Sequence, residues 1–279
     1  MAAHSTRSTK PASDVNPAAL NRTLAEIRRT VPSIASLQVG DGSQVAGRFY
    51  GANISSVFQP WRAPGSEEMV AVEAYARSRS KKGEGLSPWH LLADTAADSD
   101  LVALDRLCRT VHALNYFTVA KNQPPLVLNV DARLLQAVPE RHGEFFGKVL
   151  NLLGVSPANI VIEIRTIHQF DLTRLRQILA SYRRYGFAVA VNAEGTLHAR
   201  SLAELLRPEL LMLSAMGFSP DELHRQVISL ASSRVKIAVK LIETDEMANA
   251  MRAAGADWVQ GHFFGNPCAS AAAKLTAES

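Results

Sequence analysis

From residue 126 onward, short apolar runs recur along the chain, separated by stretches with helical spacing. Leu126-Val127-Leu128-Asn129-Val130, Ile160–Ile164, Phe187–Asn192, Leu210–Ser214, Val235–Lys240 and Asp257–Gln260 read as strands, and residues 137–153, 171–185, 198–206, 219–232 and 244–254 as the helices between or after them. Near-continuous apolar strands alternating with helices predict a parallel sheet buried on both faces. Upstream, Ser56–Pro60 and Val70–Arg77 flank a loop containing Pro64-Gly65, which predicts an antiparallel hairpin. On the second of these strands Ala71, Glu73, Tyr75 and Arg77 share one face. A carboxylate, an aromatic ring and a guanidinium together on a buried strand need partners or a ligand. Residues 99–120 form a long helix with Leu101, Leu104, Leu107, Cys108, Val111 and Leu114 on its stripe. Leu20, Leu24, Ile27 and Val31 predict a first helix over 18–31, stopped near Pro32 and packed in cis.

Eight strands with about six βα repeats fit a closed TIM-type (β/α)8 barrel with an antiparallel early strand and an N-terminal helical extension. An open doubly wound sheet is the alternative, but no glycine-rich phosphate loop follows the first strand. In a barrel the C-terminal strand ends share one mouth, and the residues there are Glu73, Asn129, Glu163, Asn192, Ser214, Lys240 and Gln260. Each alone is an ordinary strand-end polar group; seven in register make a site.

Composition narrows the class. The chain has 279 residues, 47% of them hydrophobic, and a net charge of +4 without a long basic run. Lys81-Lys82 and Arg183-Arg184 read as solvated, so no direct nucleic-acid contact is expected. Two cysteines, Cys108 and Cys268, lack metal-ligand spacing and fit a reducing, cytoplasmic setting. No apolar run reaches the length of a membrane span, and no signal peptide is seen. The expected organisation is a disordered tail over 1–17, a helical extension over 18–45, the barrel over 46–270 and a tail over 271–279.

The stretch from Phe58 to Pro267 resembles the EAL domain of bacterial cyclic di-GMP phosphodiesterases. Phe58-Gln59-Pro60 is similar to the family's YQP, Glu73-Ala74-Tyr75-Ala76-Arg77 to EALLR, and Leu101–Arg106 to LI-x-x-LDR. Leu128-Asn129-Val130 is similar to the VNLS strand, Val161–Ile164 to the LEIT strand, and Ile242-Glu243-Thr244 to the end of EGVET. Trp258–Pro267, similar to YVQGYFFSRP, is the most specific match.

The resemblance implies an enzyme that holds two divalent cations over a phosphodiester, with a lysine assisting the attacking water. Glu73, Asn129 and Glu163 stand at one set of ligand positions. The DDFGTG stretch, however, reads Asn192-Ala193-Glu194-Gly195-Thr196-Leu197, and KID reads Met212-Leu213-Ser214. Both aspartates and the lysine are gone, Glu194 faces the wrong way to replace them, and Lys240 stands for the first glutamate of EGVET. Hard cations need several carboxylates, and losing one key electrostatic group commonly costs about 100- to 1000-fold in rate. The expectation is therefore no hydrolysis, no metal and no other cofactor, with the Lys240 ammonium lying near Glu73, Glu163 and Glu243.

The ligand-side residues implied by the family are present. Gln59 matches a position at a guanine edge, Arg77 one at a phosphate, and Asp105 an acceptor from guanine N–H groups; Phe264 and Pro267 match the segment against a base. Tyr75 replaces a leucine and Asn266 an arginine. The expected ligand set is Gln59, Glu73, Tyr75, Arg77, Asp105, Asn129, Glu163, Gln260, Phe264 and Pro267. The leading expectation is a cyclic di-GMP receptor that signals through an unidentified protein partner, with a homodimer as one expected assembly and no membrane contact. The alternatives are a ligand-free interaction module, such as an anti-activator of transcription or motility, and an active phosphodiesterase with unusual ligands.

Overall fold

The computed structural model describes residues 17–31, 34, 36–40, 44–79, 85–86, 97–118, 123–130, 132–138, 141–165 and 171–269. The tail expected over 1–17, apart from Pro17, the tail over 271–279, and Lys81-Lys82 lie outside these residues.

Helix α1 (Pro17–Thr30) buries Leu20, Leu24 and Ile27 in the main core, so it packs in cis as its spacing predicts. Strands β1 (Leu37–Val39) and β2 (Val45–Phe49) follow. Tyr50 and Gly51, both at positive φ, make the two-residue turn into β3 (Ala52–Arg62). Two left-handed residues in such a turn match the right-handed twist of the strands they join. β3 pairs antiparallel along β4 (Met69–Arg79), the hairpin read from the sequence, and β5 (Gly85–Leu86) pairs with the end of β4.

Helix α2 (Asp98–Phe117) packs across this hairpin. The Asn115 side-chain amide docks it: Nδ2 donates to the Val45 carbonyl (2.8 Å) and Oδ1 accepts from the Val45 N–H (2.7 Å). The βα rhythm then runs β6 (Leu126–Val130), α3 (Ala132–Ala137), α4 (Glu144–Leu153), β7 (Ile160–Ile164), α5 (Leu172–Arg184), β8 (Ala188–Asn192) and α6 (Gly195–Leu206). It ends with β9 (Leu210–Ser214), α7 (Pro220–Ser229), β10 (Lys236–Lys240), α8 (Asp245–Ala254) and β11 (Trp258–Val259).

The helix expected over 137–153 starts later, as α4 at Glu144, and a separate short helix, α3, ends where it was expected to begin. The break falls at Arg141–Gly143, where Arg141 and Gly143 take positive φ, a conformation that interrupts a right-handed helix.

Eight strands close the barrel in the order β3-β11-β10-β9-β8-β7-β6-β4, and β4 pairs back to β3. β3 is antiparallel to both neighbours and every other barrel pair is parallel. This is the TIM-type barrel with an antiparallel early strand. Among the described residues no helix is long and apolar enough to cross a membrane.

Candidate functional site

Two sets of side chains meet inside the barrel. The lower is apolar: Trp61, Ala71, Val127, Val161, Ala190, Leu210, Met212 and Ala238 form one buried cluster, with Trp258 packed against it. Because side chains alternate along a strand, the residue two positions on returns to the same face. Two positions beyond Ala71, Val127, Val161, Ala190, Met212, Ala238 and Trp258 stand Glu73, Asn129, Glu163, Asn192, Ser214, Lys240 and Gln260. The mouth is thus a polar layer seated on an apolar one.

Glu73 and Glu163 are both fully buried. The Lys240 ammonium sits between them, donating to Glu163 Oε1 and Oε2 (2.7 Å each) and to Glu73 Oε1 (3.1 Å). It also lies 5.7 Å from the centre of the Trp61 ring in the layer below, within range of the ring's negative face. Asn192 Nδ2 donates to Glu163 Oε1 (2.8 Å) and Asn129 Nδ2 to Glu73 Oε1 (2.9 Å). Gln260 Nε2 donates to Glu73 Oε2 (3.1 Å), and the Tyr75 hydroxyl donates to Gln260 Oε1 (3.4 Å). All four carboxylate oxygens therefore accept from N–H groups of the chain.

A residue the sequence reading missed completes the cluster. Arg165, just past β7, donates from Nε to Glu163 Oε1 (3.2 Å) and from Nη2 to Glu73 Oε1 (3.4 Å). Its one signal was its position, two residues beyond Glu163 and hence on the same side of the chain. Burial alone would raise the Glu163 carboxyl, but the Lys240 and Arg165 charges and the hydrogen bonds outweigh it and hold it down at about 2. Burial pushes the Tyr75 phenol well up, and the charges of Glu73 and Glu163 add to this.

Other predicted residues lie apart from this network. Ser214 is exposed, and its hydroxyl accepts from the Met216 N–H (3.2 Å). Met212 is buried in the lower layer, and the Ala193 N–H donates to the Met212 carbonyl (2.9 Å). Glu194 is exposed beyond the rim. Glu243 is not beside Lys240 as expected: it is exposed and lies 3.8 Å from His262. Leu241, at φ 65°, turns the chain outward immediately after Lys240.

Arg77 and Asp105 line a cavity of about 240 Å³ with Tyr75, Arg109, Asn129 and Arg165. Asp105 is buried and ion-paired with Arg109 one turn on. On the opposite side of β4, Gln59 Nε2 donates to the Gly265 carbonyl (3.0 Å). Phe264 packs against the core and lines a separate cavity with Arg62 and α8 residues. Pro267 is half-buried and precedes Cys268, whose backbone pairs with Phe58. Gly261 lets this segment cross the strand end: a Cβ there would lie 1.8 Å from the Ile242 carbonyl oxygen.

The EAL domain family model matches residues 49–267. An uncharacterized EAL-domain containing protein of Bacillus subtilis (strain 168), YkuI, is 30% identical over 199 residues, covering 66% of this chain and 47% of the relative. The chain thus spans about half the length of the curated relative it matches. The barrel superposes on the crystal structure of YkuI in complex with cyclic di-GMP and calcium with a TM-score of 0.65, at 21% identity, over 78% of this chain and 56% of that one. It superposes on the FimX EAL domain of Xanthomonas citri in complex with cyclic di-GMP with a TM-score of 0.63, at 16% identity, over 90% and 96% of the two chains. For Klebsiella pneumoniae BlrP1 in a manganese and cyclic di-GMP complex the TM-score is 0.63, at 20% identity, over 83% and 58%. With most of its length inside the family match and its strands closed in this order, the chain belongs to the EAL domain family.

Proposed function

We infer that this is a non-hydrolysing member of the family, a receptor that binds cyclic di-GMP and acts through contact with a protein partner. One observation carries the reading: the Lys240 ammonium lies 2.7–3.1 Å from three oxygens of Glu73 and Glu163. A divalent cation needs free, negatively charged oxygen ligands. Here every carboxylate oxygen is engaged, two fixed cations already balance the two carboxylates, and amides or small residues stand at the aspartate positions. The residues therefore do not fit a metal pair, and no hydrolytic step is assigned to them. Where the resemblance puts the water-activating lysine, Met212 is packed in the apolar layer.

Support for the ligand comes from family membership, from relatives whose structures hold cyclic di-GMP, and from Arg77 and Asp105 sharing one cavity. Calorimetric titration with cyclic di-GMP, first with Mg²⁺ and then with EDTA, tests the reading, with the same samples assayed for the linear product. Binding in both buffers without product is expected, and Arg77→Ala should abolish it. Product that forms only with Mg²⁺ would overturn it.

A second reading is a ligand-free interaction module. It is favoured by Arg109 holding the Asp105 carboxylate and by Gly265 holding the Gln59 amide, which engages two guanine-side groups within the chain. Absence of binding in either buffer would select it.

A further inference from the structure

A ligand phosphate entering this mouth meets the chain's own cations. We propose that Arg165 is the group that grips it, so that the cavity beside β4 is a metal-free subsite for a phosphodiester. This rests on the receptor reading and names the residue by which that site would hold its ligand.

The geometry gives Arg165 the needed freedom. A guanidinium carries five N–H donors in a planar fork. Nε and Nη2 give one each to Glu163 and Glu73, which leaves three. The side chain is 46% exposed while both of its carboxylate partners are fully buried. One edge is thus anchored to fixed groups, while the other is open at the cavity that Arg165 lines with Arg77, Tyr75, Asp105, Arg109 and Asn129. A guanidinium fork matches the oxygen pair of a phosphate, and anchoring it beforehand lowers the ordering cost of binding.

Charge sets the class of ligand. Lys240 and Arg165 balance Glu73 and Glu163, and Arg109 balances Asp105. Arg77 leaves one positive charge in excess among the described groups, which suits the single negative charge of a phosphodiester better than the double charge of a terminal phosphate. At about 240 Å³ the cavity is smaller than the roughly 300–1,000 Å³ of sites that enclose a whole small ligand. It receives one phosphate and its neighbouring atoms, with the rest of the ligand across the mouth.

The test is calorimetric titration of the full chain with cyclic di-GMP in EDTA for wild type, Arg165→Gln and Arg165→Lys, with thermal melts to confirm folding. Arg165→Gln should weaken binding at least tenfold and flatten its dependence on salt, and Arg165→Lys should recover part of the loss. Binding by a folded Arg165→Gln within twofold of wild type would overturn the proposal and leave the receptor reading standing. If wild type binds no cyclic di-GMP, or if Arg165→Gln does not fold, dimethyl phosphate is titrated into wild type while the Arg165 Nε–H resonance is followed by NMR. A saturable shift supports the subsite even where the receptor reading has failed, and no shift overturns it.

Discussion

The lower and upper layers of the barrel are built on the same strands, two residues apart, yet they hold together in opposite ways. Below, Ala71, Val127, Val161, Ala190, Met212 and Ala238 are apolar, exclude water and have no side-chain N–H or O–H to satisfy. Above, Glu73 and Glu163 are just as deeply buried, and they are tolerable only because Lys240, Arg165 and three side-chain amides satisfy their oxygens. Burying a charge is expensive unless it is paired and hydrogen-bonded. The lower layer is therefore a source of stability, whereas the upper one is a self-neutralised set of charges at the barrel mouth.

Substitutions can separate the two. The largest effect is expected for Lys240→Ala, which leaves two buried carboxylates with Arg165 as their single remaining cation. Breaking a buried pair in this way costs about 3–5 kcal/mol, read by urea unfolding at neutral pH. The double change Glu163→Gln with Lys240→Met should lose far less, since it removes both charges together. Met212→Ala in the lower layer should cost about 2–4 kcal/mol through a cavity, and the loss should be the same at pH 5 and pH 8. Equal pH dependence in the two layers would contradict the distinction drawn here.

Acid should expose the upper layer selectively. The folded-state pKa of Glu163 lies at about 2, below its ordinary value of 4.5. The unfolded chain therefore binds the proton more readily. The stability this group contributes is present above about pH 4.5 and is lost as pH falls toward 2. Unfolding midpoints measured between pH 6 and pH 3 should fall, and Glu163→Gln should remove that part of the slope. The smallest effect is expected at the surface: Lys148→Ala breaks an exposed 3.0 Å pair with Glu144 and should change stability by less than about 0.5 kcal/mol.

Much of this was legible in the sequence because barrel geometry follows from period. Apolar runs of fixed length alternating with helices gave the strands, and alternation along them carried Glu73, Asn129, Glu163, Asn192, Lys240 and Gln260 to one mouth, where the structure joins them in a single network. Ser214 obeys the same register but turns to the next loop, because the mouth side of β9 ends at an exposed rim. Arg165 escaped notice because it lies one residue past the apolar run of its strand, although the same alternation carries it to the side of Glu163. The Asp105–Arg109 pair was visible as an i, i+4 spacing, but that spacing does not tell a solvated helix face from a buried one. Glu243 was misplaced because a positive φ at Leu241 reverses the path of the chain, and leucine gives no warning of it.

The central claim is that Lys240 occupies the position a metal would need. It is tested most directly by titrating Mn²⁺ into the full chain and following free Mn²⁺ by electron paramagnetic resonance, for wild type and for Lys240→Glu. Wild type is expected to take up no Mn²⁺ at the cluster, whereas Lys240→Glu, with three carboxylates facing one another, should bind it weakly. Saturable uptake by wild type that disappears in Glu163→Gln would contradict the claim.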